Sequence, residues 1–220
     1  MAENQSKLYN PVAYNDSIER TARQDRIFLN NPVIMQGLGL APLIVACTSG
    51  QNALMISVAV ILILVPTRVI AAVLSRFSYY RFRGLLYSVV SASVYVGVYW
   101  IVTHIFPAAS LSQLGLYLPL LVIDPIVIKR YERVKREKVD AAFRKSVITA
   151  LGYSLVLMIM GILRELLAGG TFFGNKVFGI SIMPMLKLPM GGFMLLAVVM
   201  ALWRGAVTSY KKQMKTEAEQ

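Results

Sequence analysis

An aspartate, Asp124, stands between Ile123 and Pro125 inside an apolar run that spans 111–128. Pro119 and Pro125 withhold backbone N–H groups and leave carbonyls without helical donors, so a carboxylate among them suits a hard cation or a transferable proton. The competing role is a hydrated carboxylate at the end of the run, paired with Lys129 or Arg130. Arg164 and Glu165 are neighbours in a second apolar run, and on a helix they point to different faces, so each needs a partner of its own. Those partners lie either in subunit contacts and the loop that follows, or, if both side chains snorkel, at the outer interface. Arg68, shortly after Pro66, reads as a snorkelling anchor. Cys47 and His104 are the single cysteine and histidine, which excludes an internal disulfide or a multi-cysteine zinc site. They read as a buried thiol and an interfacial histidine rather than a haem ligand.

The elements that must position these groups are membrane helices. Of 220 residues, 56% are hydrophobic and only 15% charged, where a soluble domain carries about 25% charge. With a mean hydropathy of +0.59, a soluble fold would have to bury more apolar surface than a chain of this size has room for. Apolar runs at 33–49, 51–74, 84–106, 111–128, 146–168 and 190–208 predict an all-α membrane protein with six spans. They lack the short alternating segments of a membrane barrel. The net charge of +12 does not point to nucleic acid, because the basic residues flank the runs instead of forming a face with interleaved aromatics. They precede the first run (Lys7, Arg20, Arg23, Arg26), follow the second (Arg76, Arg81, Arg83), crowd the fourth-to-fifth loop (Lys129 to Lys145) and close the chain (Arg204, Lys211, Lys212, Lys215). That alternation predicts both termini on the cytoplasmic side of the cytoplasmic membrane, with the basic loop touching anionic lipid. No short apolar stretch with a small-residue cleavage site precedes the first run, so the first span is expected to act as the insertion signal.

The expected organisation is a cytoplasmic tail over 1–32, a membrane domain over 33–208 and a cytoplasmic tail over 209–220. Leu38-Gly39-Leu40-Ala41-Pro42-Leu43-Ile44-Val45 is echoed by Leu114-Gly115-Leu116-Tyr117-Leu118-Pro119-Leu120-Leu121-Val122 with one residue of slippage. The two copies open halves at about 33–106 and 111–208. Three spans per half invert the second half relative to the first. Helix-breaking residues fall in matching places: Gly37, Gly39 and Pro42 in the first span, Gly115, Pro119 and Pro125 in the fourth. Paired broken helices of this kind mark where an ion, substrate or cofactor sits. The loop from Gly169 to Gly192 is apolar and rich in Gly, Phe, Met and Pro, so it either dips into the membrane against protein or lies on the lipid surface.

The segment Gly161-Ile-Leu-Arg164-Glu165-Leu-Leu-Ala-Gly-Gly170-Thr171-Phe-Phe-Gly174 resembles a signature of the Rnf/Nqr membrane subunits, in particular the E subunit of Rnf complexes and the D subunit of the sodium-translocating NADH:quinone reductase. Asn31-Pro32 with Leu38 to Pro42 is similar to the family's opening motif, and Leu114 to Val122 to its fourth-span motif. The resemblance covers about residues 28–208. It implies a six-span subunit paired with a pseudo-symmetric partner (a chain like the A subunit of Rnf complexes), beside flavin-bearing subunits, in a complex that couples electron transfer to Na+ or H+ movement. The family also carries cysteines in both broken helices, thought to hold a [2Fe–2S] cluster between the paired subunits. Here those positions are Ala41 and Pro125, neither of which can be a ligand. Cys47 lies about 9 Å beyond Ala41 along a helix, too far to substitute. The resemblance therefore implies a divergent subunit that binds no cofactor by itself.

No nucleotide loop, flavin fingerprint or activated nucleophile occurs in the chain, so oxidoreductase chemistry is expected from cofactors borne by partners. A stand-alone secondary transporter is the alternative, because inverted halves with broken helices describe that architecture too.

Overall fold

The computed structural model describes residues 25–128, 138–177, 179 and 181–217. Its helices are α1 (Pro32–Gln36), α2 (Gly50–Leu74), α3 (Arg83–Ile105), α4 (Ala108–Leu114), α5 (Tyr117–Leu120), α6 (Pro125–Ile128), α7 (Val139–Gly169) and α8 (Pro189–Glu217). A π-turn, Pro42–Ala46, joins α1 to α2, and a two-stranded hairpin, β1 (Thr171–Phe172) and β2 (Asn175–Lys176), with a 3-10 turn at Pro184–Lys187, joins α7 to α8.

Among the described residues, four helices are long and apolar enough to cross a membrane: Gly50–Leu74, Arg83–Ile105, Val139–Gly169 and Pro189–Met214. They coincide with four of the six predicted spans, α2 and α3 to within one residue, while α7 begins earlier and α8 ends later than predicted. Hydropathy locates the lipid-compatible stretch, while backbone hydrogen bonding continues through the charged turns at 139–145 and 209–217. The remaining two runs, 33–49 and 111–128, are chains of short helical pieces rather than continuous helices.

The core forms around α2 and α7. Gly161 makes that crossing close: a Cβ there would lie 2.5 Å from the Ala53 Cβ and 2.8 Å from the Ser49 carbonyl oxygen. Small residues at a crossing let two backbones approach, which supplies the packing that lipid cannot. Ile56, Val60, Ile63 and Leu64 of α2 and Val156, Leu157 and Met160 of α7 are buried there. By contrast α3 and α8 leave long apolar faces outward, with Leu85, Val89, Val96 and Trp100 on one and Met190, Phe193, Val198 and Leu202 on the other. That pattern is right for helices bordering lipid or other membrane proteins.

Candidate functional site

The two broken segments are built by recognisable local chemistry. In the first, the Asn31 side chain accepts from the Val33 N–H at 3.0 Å and so caps α1, while Pro32 occupies the first helical position, where no N–H is needed. The same side chain donates at 2.8 Å to the Gly152 carbonyl, which ties the segment to α7. α1 stops at Gly37, whose φ of 68° permits the left-handed turn. Gly39 (φ 71°) then passes so near Tyr153 that a Cβ would sit 2.8 Å from the ring, and the Tyr153 hydroxyl donates to the Gly39 carbonyl at 2.8 Å. The wide turn beyond Pro42 closes with the Cys47 N–H on the Pro42 carbonyl at 3.2 Å.

In the second segment Gly115 (φ 50°) ends α4, and Asp124 caps α6 by accepting from the Ile126 N–H at 2.9 Å. Pro125 starts α6, and Pro119 lies within the single turn of α5, so it does not break the chain where the sequence pattern placed a break. A proline in a first helical turn forfeits no intrahelical bond. Asp124 is buried, at 7% exposure. Lys129 and Arg130, its sequence-predicted partners, lie outside the described residues. Tyr153, fully buried in α7, holds the first break through its bond to the Gly39 carbonyl.

Arginines from the long helices fix the broken backbone. Arg68 of α2 is 5% exposed and donates from Nη2 to the Ile126 carbonyl at 2.6 Å, with Nη1 3.4 Å from the Thr149 hydroxyl. It is thus a buried clamp on α6 and not the snorkelling anchor expected from the sequence. Arg204 of α8 donates to the Ile34 carbonyl through Nε at 3.0 Å and Nη2 at 2.8 Å, at the exposed end of α1. Arg164 is fully buried and donates to the Ile44, Cys47, Leu186, Lys187 and Leu188 carbonyls. Of the sequence alternatives for Arg164 and Glu165, snorkelling is excluded by this burial, and the loop after α7 is the partner of both.

Glu165 is the hinge pin of that loop. One carboxylate oxygen accepts from the Gly174 N–H and the other from the Gly50 N–H, both at 2.7 Å, joining the hairpin turn to the start of α2. Gly170 (φ 64°) caps α7, Thr171 opens β1 and also faces the Glu165 carboxylate, and Gly174 (φ 84°) makes the hairpin turn beside Phe173 (φ 50°). The apolar loop therefore packs on protein through Leu186 while Ile182, Met183 and Leu188 remain exposed. His104 is exposed, its ring tilted at 44° to Trp100 with centroids 4.4 Å apart and Nδ1 2.7 Å from the Trp100 carbonyl oxygen.

Ala41 and Pro125 are both exposed, whereas Cys47 is wholly buried. The two positions thus look outward from the two breaks, and the one thiol looks inward. Sequence reading missed Tyr153 and Arg204. A tyrosine in mid-span and a basic residue at the edge of an apolar run were the available signals.

A family model described as "Rnf-Nqr subunit, membrane protein" matches residues 21–200. The E subunit of the Na(+)-translocating ferredoxin:NAD(+) oxidoreductase complex of Acetobacterium woodii is 30% identical over 179 residues, which is 80% of this chain and 91% of that one. The E subunit of the proton-translocating ferredoxin:NAD(+) oxidoreductase complex of Clostridium ljungdahlii is 27% identical over 179 residues, 80% of this chain and 84% of its own. The E subunit of the ion-translocating oxidoreductase complex of Haemophilus ducreyi is 30% identical over 177 residues, 79% and 78% of the two chains. With buried arginines holding two broken apolar segments against four long apolar helices, and with this match over most of its length, the chain belongs to the Rnf-Nqr family of membrane-protein subunits.

Proposed function

We propose that this chain is the E-type membrane component of an ion-translocating electron-transport complex, coupling electron transfer carried by partner subunits to Na+ or H+ movement. The observation that carries the reading is the outward face of the two breaks. Ala41, Leu116, Leu120, Ile123 and Pro125 are exposed in apolar segments whose backbone is not continuous helix. Lipid does not accept irregular backbone, so the exposed residues of each break require a protein cover at membrane depth. A pseudo-symmetric six-span partner supplies such a cover. In this reading each broken segment counts as one crossing, which gives six spans in two inverted halves, 33–106 and 111–208. Ala41 and Pro125 present a methyl group and a pyrrolidine ring at the covered face. Neither carries a donor atom and Cys47 points away, so the residues of this chain do not fit an iron–sulfur cluster.

Affinity purification from mild detergent is expected to bring down a second six-span protein and flavin-bearing subunits in fixed proportion. Recovery of the chain alone, or as a homo-oligomer, overturns the assignment and favours a stand-alone transporter.

Orientation is a second proposal within this reading: cytoplasmic membrane, both termini inside, as the alternation of basic loops supports. Because the native thiol is buried, Ser110→Cys and Lys138→Cys can be labelled one at a time without background. Membrane-impermeant maleimide should reach position 138 from the cytoplasmic side and position 110 from the outer side. The opposite pattern sinks the orientation.

A further inference from the structure

Five backbone carbonyls converge on the Arg164 guanidinium: Ile44 and Cys47 on Nη1, the latter at 3.0 Å, Leu186 on Nε at 2.9 Å, and Lys187 and Leu188 on Nη2 at 3.3 Å each. They come from the π-turn of the first break with its cap Cys47 and from the 3-10 turn before α8 with its cap Leu188; the Leu188 carbonyl also accepts the first bond of α8, from the Gly192 N–H at 3.1 Å. A shell of carbonyl oxygens with no carboxylate in it is what proteins build for a hard monovalent cation. Arg164 is fully buried at that spot, and its neighbour Glu165 is engaged by the Gly50 and Gly174 N–H groups instead. Room for the planar head is made by Gly192, where a Cβ would lie 3.1 Å from Cζ.

We propose that Arg164 is a tethered cation: its guanidinium occupies a carbonyl cage at the first break and thereby closes that break to mobile cations. The two breaks are then electrostatically unlike, since the second carries the buried Asp124 carboxylate. This inference rests on the reading of the chain as part of an ion-translocating complex, and it assigns passage to the second break alone. A fixed positive charge at the first repels any second cation, as a pore arginine does.

The test uses the full chain in nanodiscs and measures thermal unfolding in sodium, potassium or choline chloride at equal ionic strength, so it does not depend on whether partners co-purify. Wild type should unfold at the same temperature in all three salts. Arg164→Gln should be less stable in choline and recover by roughly 2–4 °C in sodium or potassium, because a free ion then enters the cage. Arg164→Lys keeps a tethered charge and should show no such recovery. If Arg164→Gln does not accumulate, Gly192→Ala, which crowds the guanidinium but keeps its charge at the cage, should be less stable than wild type to the same degree in all three salts. Equal destabilisation of Arg164→Gln in all three salts, or a selective gain in the wild type, in Arg164→Lys or in Gly192→Ala, overturns the proposal.

Discussion

Replacing Gly161 with valine should abolish accumulation of the chain in the membrane, and alanine should lower its stability by about 2 kcal/mol, or roughly 4–8 °C in unfolding temperature. The cause is steric. A first carbon at this position meets the Ala53 Cβ at 2.5 Å and the Ser49 carbonyl at 2.8 Å, and neither neighbour is a flexible side-chain end that can swing aside. The helices must separate, and one turn further along α7 the Glu165 bond to Gly50 depends on the same approach. Its loss would also release the hairpin turn at Gly174. Adding Ala53→Gly to Gly161→Ala removes the carbon–carbon clash but not the one with the carbonyl, so it should restore stability only in part. Unfolding of the purified chain in detergent reads both variants. A melting temperature for Gly161→Ala within about 1 °C of wild type would show that the two helices part at little cost and that the close approach is not what holds them.

How far these features can be read from sequence depends on whether they leave a side-chain trace. The four long helices are legible because a lipid solvent demands uninterrupted apolar runs, and the broken character of 33–49 and 111–128 is legible because Gly37, Gly39, Pro42 and Gly115 change what the backbone can do. Partners are not legible when the partner is a carbonyl. Arg68 looks like a snorkelling residue near the end of a span, yet its acceptor is the Ile126 carbonyl of a segment far away in sequence. Arg164 and Glu165 were visible as residues needing partners, while the ring of carbonyls and the pair of N–H groups that satisfy them belong to Ile44, Cys47, Gly50 and Gly174, whose side chains carry no hint of it. Pro119 marks the opposite failure: a helix breaker by type, harmless where it falls because it lies in the first turn of a very short helix.

Asp124→Asn should slow ion-coupled turnover of the assembled complex by at least about tenfold while leaving assembly intact. The substitution isolates charge from structure. Asp124 accepts one backbone N–H, that of Ile126, and caps the four-residue α6; an asparagine carbonyl oxygen can accept the same bond and is an equally good cap. What asparagine cannot do is carry negative charge, so it neither balances a cation nor takes a proton. Asp124→Ala removes the cap as well and should cost about 1 kcal/mol of stability on top of the loss of transport. The placement of Asp124 makes the charge hard to explain as packing alone: it is buried in a segment of broken helix, and its carboxylate's partner among the described residues is a backbone N–H and not a cation. Tyr153→Phe should leave coupling near wild type if Asp124 alone binds the ion, and should depress it alongside Asp124→Asn if the hydroxyl shares the site. Measuring Na+ uptake and internal acidification in proteoliposomes, with electron transfer followed separately, distinguishes uncoupling from loss of the whole activity. Wild-type ion uptake in a correctly assembled Asp124→Asn complex would remove Asp124 from the pathway. Disappearance of the chain from the membrane in Asp124→Asn, with the cap preserved, would instead assign the carboxylate to an ion pair that holds the fold.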